Sequence, residues 1–208
     1  MMTFKKGLLY VLLPIYKPTR QISAFFNDKH KVGYAVLALF ILGLLYTFTI
    51  VVGYLNGFGA AHSPWLAIPP EDYYLWESFF ALPVYFVSVI LFAGTARLLS
   101  MLFRGTGSFE HIFAIYAIAL VFPTVITMWI PETTLIVFFP DQRLMPLGGF
   151  AVMPMWLDTL RQLVGGLWPV VIAVIGIRKS EHITWWQSGF VTFCAAIPTV
   201  IFILVFIR

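Results

Sequence analysis

What most constrains this chain is a set of five long apolar runs, none of which carries a charged side chain near its middle. They cover residues 32–55, 78–102, 109–130, 163–177 and 185–207. A helix needs about 20 largely apolar residues to cross the hydrocarbon core. Four of the runs meet that length; the fourth in order is short unless residues 155–162 belong to the same helix. The expected fold class is all-α, a polytopic membrane helix bundle with five transmembrane spans. Composition agrees: 61% of the residues are hydrophobic and 11% charged, against about 25% charged in soluble domains. A charge at mid-span would cost about 2.5–3.5 kcal/mol on the insertion scale and would mark an ion or proton path. The lack of one argues against a proton-coupled pump. Asp158 and Arg161, spaced i,i+3 where the fourth span begins, read as a surface pair.

Connector charge gives the expected orientation. The N-terminal segment with Lys5, Lys6, Lys17, Arg20, Lys29 and Lys31 shares one side with Arg97, Arg104, Arg178 and Lys179. Ten cations therefore stand on that side, and only Arg143, Arg161 and Arg208 on the other. Glu71, Asp72, Glu77, Glu132, Asp141 and Asp158 all fall on the cation-poor side. The positive-inside rule then puts the N-terminus in the cytoplasm and the C-terminus outside. Residues 1–31 read as a basic amphipathic arm ahead of a membrane domain at 32–208. Its six cations suit an anionic membrane surface, each worth about 1 kcal/mol there. Nucleic acid is a poor partner for a chain with no other basic face.

"GLLYVLLPIY" resembles a signal peptide, but "KPTRQ" follows it in place of a small-residue cleavage site. Pro14 and Pro18 break it into an interfacial stretch whose Leu, Tyr and Ile side chains dip into lipid. Residues 131–156 are too apolar for an ordinary loop. Pro131, Pro140, Pro146, Pro154 and Gly148-Gly149 are expected to prevent one continuous helix there. That connector is expected along the outer interface or re-entering the bundle. Trp65, Trp76, Trp129 and Trp156 near the outer boundary, and Trp185-Trp186 near the inner one, read as belt residues. Cys194, the single cysteine, reads as a small buried hydrophobe.

"PTVI" occurs twice, at residues 123–126 and 198–201, and each copy follows an "EHI", at 110–112 and 181–183. From Phe109 to Pro123 is 14 residues and from Trp185 to Pro198 is 13, so the two prolines share one depth, about 20 Å along the helix at 1.5 Å per residue. Each span is preceded by one with a proline toward its outer half, Pro83 or Pro169. Residues 78–130 and 156–207 thus resemble two hairpins of like orientation, a parallel repeat. Pro123 and Pro198 each free a carbonyl four residues earlier, at Ala119 and Cys194. Two readings stay open: kinks satisfied by Thr side chains and packing, or paired acceptors lining a cavity.

Ser108 and Ser180 read as N-caps, placing Glu110 and Glu181 in the positive first turn of a helix. A sharper reading brings Glu110, His111, Glu181 and His182 together as a metal or proton site. Gly53 and Gly57 form one small-xxx-small step, read as a close helix contact or as a fraying helix end. No phosphate-binding loop, zinc-protease or nucleophile-elbow motif occurs, no cofactor is called for, and no nucleophile has a base at a readable spacing.

"KPTRQISAFF" before the first span, "LLSMLFRGTGSFEHIFAIYAIALVFPTVI" across the second and third, and the closing "LVGGLWPVVIAVIGIRKSEHITWWQSGFVTFCAAIPTVIFILVF" resemble the Yip family. These are Ypt/Rab-interacting five-span membrane proteins with a cytoplasmic N-terminus, and the resemblance covers about residues 10–208. It implies a non-enzymatic membrane protein that binds other membrane proteins. Eukaryotic members work in vesicle traffic, bind Rab-type GTPases and associate with one another. Their longer N-terminal region carries an Asp-Leu-Tyr-Gly-Pro motif, where this chain has "FFNDKHKVG". That departure puts GTPase binding in doubt. It favours a prokaryotic member in a bacterial or archaeal cell membrane over one in the ER or Golgi. Some prokaryotic members look like accessory subunits of ABC-type exporters. The leading expectation is an adaptor or scaffold that contacts the lipid bilayer and organises partners, an ABC-type exporter or further copies of itself. The alternative is a transport or lipid-handling protein with a cavity between the two hairpins.

Overall fold

The computed structural model describes residues 4–12, 18–58, 65–139, 144–145, 149–150 and 153–207. Two short helices, α1 (Phe4–Val11) and α2 (Pro18–Phe26), precede α3 (Lys31–Leu55) and α4 (Tyr73–Leu102). Helix α5 (Phe109–Thr124) continues through a π-helical turn (Val125–Trp129) into α6 (Ile130–Phe138). A two-residue antiparallel pair follows, β1 (Leu144–Met145) with β2 (Gly149–Phe150), then α7 (Met155–Glu181) and α8 (Trp185–Phe206). Among the described residues five helices are long and apolar enough to cross a membrane: α3, α4, the continuous Phe109–Phe138 rod, α7 and α8.

Three of these boundaries differ from the sequence expectation. The second span starts at Tyr73, the third runs on to Phe138, and residues 155–162 do belong to the fourth helix. The helix passes through Pro131 because the preceding turn widens to π geometry, which loosens the ladder where proline has no N–H to give. Of the other prolines in the 131–156 connector, Pro140 and Pro146 lie outside the described residues, as does Gly148.

The core is organised around α5. Every residue from Ile112 to Ala119 is buried, so this helix is wrapped by protein on all sides. Helices α3, α4 and α7 pack on it, and α8 packs on α4 and α7. The outer helices each bury one stripe and expose the other. On α3, Ala35, Ala38, Leu39 and Leu42 face inward, while Leu37, Phe40, Ile41 and Leu44 face out. Large apolar side chains on the outer surface, such as Phe79, Leu98, Leu167 and Phe193, leave a hydrocarbon environment as the only solvent that suits them.

Close approach between α5 and α7 depends on α7 lacking side chains where it crosses. A Cβ on Gly176 would lie 2.7 Å from Ile115 Cγ1, and one on Gly165 would collide with Thr127 Oγ1. Gly165, Pro169, Ile172, Ala173 and Gly176 are all buried along the same face of α7, the small-residue contact by which membrane helices pack without a hydrophobic drive. The "GYLNG" step does neither of the two things read for it in full. Gly53 is buried against the Tyr74 ring, and Gly57, at φ 76°, lies just beyond the end of α3.

The helix pairings have a regular form. Helix α4 packs on α8, and α5 packs on α7; within the hairpins, α4 packs on α5 and α7 on α8. Exchanging the two hairpins leaves this list of pairs unchanged. The four prolines do not share one environment: Pro123 and Pro169 are buried, Pro198 is half-buried and Pro83 is exposed.

Candidate functional site

At the end of the bundle that bears α1 and α2, the arm folds back onto the helix ends. Ile22 and Phe25 are fully buried, and Tyr10 stacks edge-on against Phe25 at 4.8 Å and against Tyr34 at 5.4 Å. Only part of the arm's apolar surface therefore remains for lipid: Leu8 and Leu9 are about half exposed. Asp28 ties the fold-back together. Its Oδ1 accepts from the His30 backbone N–H at 2.9 Å, and its Oδ2 accepts from the Tyr10 hydroxyl at 3.0 Å with Lys6 Nζ at 3.6 Å. The His30 N–H foremost, helped by Tyr10 and Lys6, holds the Asp28 carboxyl below the usual carboxylate range. Burial, reinforced by Asp28, pushes the Tyr10 hydroxyl up to about 12. Of the six arm cations, Lys6, Arg20 and Lys29 are exposed and Lys31 is half-buried. Lys17 lies outside the described residues, as does the side chain of Lys5.

Between α2, the start of α5 and the α7–α8 junction lies a cleft of about 620 Å³, lined by Ser23, Phe26, Asn27, His111, Arg178, Lys179, Ser180, His182 and Ile183. The His111 ring packs on Phe26 at 4.7 Å. The Arg178 guanidinium lies 4.4 Å over the Trp185 ring, a cation–π contact that fixes its direction. Lys179 Nζ donates to the Thr19 carbonyl and to Ser23 Oγ, at 2.7 Å to the latter. The cleft thus unites both histidines of the repeated "EHI", though neither glutamate lines it.

The two copies of "EHI" are not equivalent. Ser108 caps α5 as expected, accepting from the His111 N–H, with Glu110 in the first turn. Ser180 does not cap α8. Helix α7 runs on through Ser180 to Glu181, His182 ends it in the left-handed conformation at φ 57°, and Thr184 caps α8 through a capping box with Gln187. The Thr–x–x–Gln pattern was there to be read, and it outcompetes Ser180 because it satisfies two N–H groups reciprocally.

Glu181 is instead a buried clamp. Arg97 Nη1 donates to its Oε2 at 2.6 Å and to the Gly105 carbonyl at 3.1 Å, and the Gly107 N–H donates to Oε2 at 3.1 Å. The Glu181 carbonyl accepts from the Thr106 N–H. The "GTG" connector wraps this carboxylate so tightly that a Cβ on Gly105 would lie 2.5 Å from Oε2. Glu110 is exposed. Glu110, His111, Glu181 and His182 therefore do not converge, and among the described residues no group of three or more His, Cys, Asp or Glu side chains could hold a metal ion.

At the opposite end, Asp158 and Arg161 are buried rather than on the surface. Arg161 donates through Nε to Asp158 Oδ1 at 2.7 Å, and through Nη1 to Glu132 Oε1 at 3.0 Å and to the Thr127 carbonyl at 2.9 Å. Gln162 Nε2 donates to Asp158 Oδ2 at 2.9 Å. The surface reading failed because the fourth helix begins eight residues earlier than Leu163, and because the third continues past Pro131 to bring Glu132 alongside. Next to this cluster is a cavity of about 200 Å³ lined by residues including Tyr46, Tyr85, Thr124, Trp129 and Glu132. Trp129 is a bundle residue, not a belt one: its indole N–H donates to the Leu45 carbonyl at 2.8 Å. The other five named tryptophans, Trp65, Trp76, Trp156, Trp185 and Trp186, are exposed. Neither Ala119 nor Cys194 lines this cavity. Ala119 is fully buried in the packed core and Cys194 is half-buried. The threonine hydroxyls near the kinks bond other carbonyls, Thr127 that of Pro123 and Thr199 that of Ala195.

Searches of curated proteins and of solved structures return no match to the chain. The family model described as "Yip1 domain" matches residues 14–207, from just ahead of α2 to one residue beyond the end of α8. With its five membrane-length helices, this chain is an integral membrane protein that belongs to the Yip1 family.

Proposed function

We propose that the chain is a non-enzymatic membrane adaptor that organises partner membrane proteins, with the arm-bearing end in the cytoplasm. The family match over residues 14–207 carries this reading. The placement of the arm rests on the ten cations of its side against three on the other. The exposed apolar faces of the outer helices, together with the folded-back arm, supply surfaces for lipid and for neighbouring membrane proteins. A prokaryotic cell membrane is the setting that the arm sequence favours.

We also infer that residues 78–130 and 156–207 arose by duplication, with residues 1–31 as a separate arm. The exchange-invariant pairing of α4 with α8 and α5 with α7 supports this. The transport alternative lacks comparable support, since the core around Ala119 is packed.

The test is purification from native membranes in mild detergent after brief crosslinking. The adaptor reading expects a stoichiometric membrane-protein partner, and an ABC-type exporter or a second copy of the chain would each be identified by mass. A functional protein that stays a lone monomer in the membrane sinks it.

A further inference from the structure

We propose that the arm-side cleft is a binding site for a phosphate group. Arg178 and Lys179 line it together with His111 and His182, and no carboxylate appears among its described lining residues. Such a concentration of cationic and N–H donors is what phosphate oxygens demand. Two of the acids adjoining lining residues are already engaged: Glu181 Oε2 accepts from Arg97 and the Gly107 N–H, and Asp28 is held by Tyr10, the His30 N–H and Lys6. Glu110 is exposed beside His111, outside the lining, and at that imidazole its field opposes the field of Lys31.

The donors are also oriented before any ligand arrives. Stacking on Trp185 fixes the Arg178 plane, and its Nε is buried with no hydrogen-bond partner. With Nε closed off, the two Nη groups are the donors that a ligand in the cleft would meet. Lys179 spends two of its three N–H donors on Thr19 and Ser23, so one is left for a ligand. At about 620 Å³ the cleft has the volume of a small-molecule site and can take a phosphorylated headgroup rather than an ion alone. A phospholipid headgroup and a soluble phosphate compound share this chemistry. The proposal goes beyond the adaptor reading and does not depend on it.

The test uses the full chain purified in detergent. Native mass spectrometry would count retained phosphatidic acid against phosphatidylcholine, and titration calorimetry would follow inorganic phosphate. One phosphatidic acid per chain is expected, with affinity falling about tenfold or more in Arg178→Gln. Asn27→Trp, which fills the cleft and leaves every charge in place, should cause a similar loss. Arg104→Gln, an exposed cation of the α4–α5 connector outside the cleft lining, should stay within twofold of the parent. Helical circular dichroism and elution volume would confirm that each variant folds. Phosphate binding that Asn27→Trp abolishes supports the site with a soluble source. Phosphatidic acid retention without phosphate binding supports it with a lipid source. Equal retention of both lipids with no phosphate binding overturns the proposal. So does an Arg104→Gln loss as large as that of Arg178→Gln, which would indicate diffuse surface charge.

Discussion

Arg161 Nη1 donates to the Thr127 carbonyl at 2.9 Å, the acceptor that Pro131 leaves without its i+4 N–H partner. A side chain from α7 thus repairs a helix on the neighbouring span, and the same guanidinium holds Glu132 and Asp158. In a low-dielectric setting the exposed acceptor would be costly, which explains why an arginine is tolerated there.

Replacing Arg161 with Met should therefore cost about 3–5 kcal/mol, because two carboxylates are left without their cation. Arg161→Lys should recover only part of this, since a point charge cannot reach all three acceptors at once. Thermal unfolding in detergent, read by circular dichroism, would check both. Parent-like stability of Arg161→Met would show that the network contributes nothing.

Glu181→Ala removes the acceptor that organises the "GTG" connector. Arg97 remains a quarter exposed, so water recovers part of the loss and the expected cost is about 2–3 kcal/mol. Glu110→Ala, at the other "EHI" and on an exposed side chain, should change the melting point little. Equal effects of the two would mean that the repeated motifs are equivalent after all.

Two glycine substitutions separate helix propensity from packing. Gly176→Val should cost at least about 1–3 kcal/mol by driving a branched side chain into Ile115. Gly94→Ala, with nothing within 4 Å of its Cβ, should be neutral or stabilise by up to about 1 kcal/mol. Chemical denaturation of the pair in one detergent would read out the contrast.

The Asp28 carboxyl is held below its ordinary value in the folded chain. Its contribution to arm docking is fully present above the unfolded carboxylate range and is lost as pH falls through the lower folded value. Docking should thus be flat between about pH 5 and 8 and loosen only in stronger acid. Hydrogen exchange across α1 and α2 would follow it, and Asp28→Asn should abolish the acid-dependent part. Loosening that begins near neutral pH would assign the switch to another group.

Much of the bundle could be read from residues 32–207 without coordinates. Five helices of membrane length, the matched start points Phe109 and Trp185, and the Ser108 cap all follow from local properties. Hydropathy and capping chemistry are set by neighbours within a few residues. The helix start at Tyr73 and the run through Pro131 are not legible in sequence for the same reason. A proline reads locally as a stop, and what it meets on another span decides otherwise.

The arm-side cleft shows a mixed case. The repeat points to both histidines, but in sequence Arg178 and Lys179 carry only an orientation signal, and the part played by α2 has none. Their meeting depends on Ile22 and Phe25 docking under the helix ends.

By itself the sequence determined that the chain is a membrane protein with five helices long and apolar enough to cross. Only the tertiary structure decided that α5 is the central helix, that Glu181 faces Arg97 while Glu110 faces outward, and that Arg161 is buried. The physical reason is that lipid and protein interiors are equally apolar. Hydrophobicity can place a residue within the membrane slab, but it cannot say which face of a helix meets another helix. That choice rests on shape, on glycines such as Gly176 that admit a neighbour, and on polar groups that must find one another.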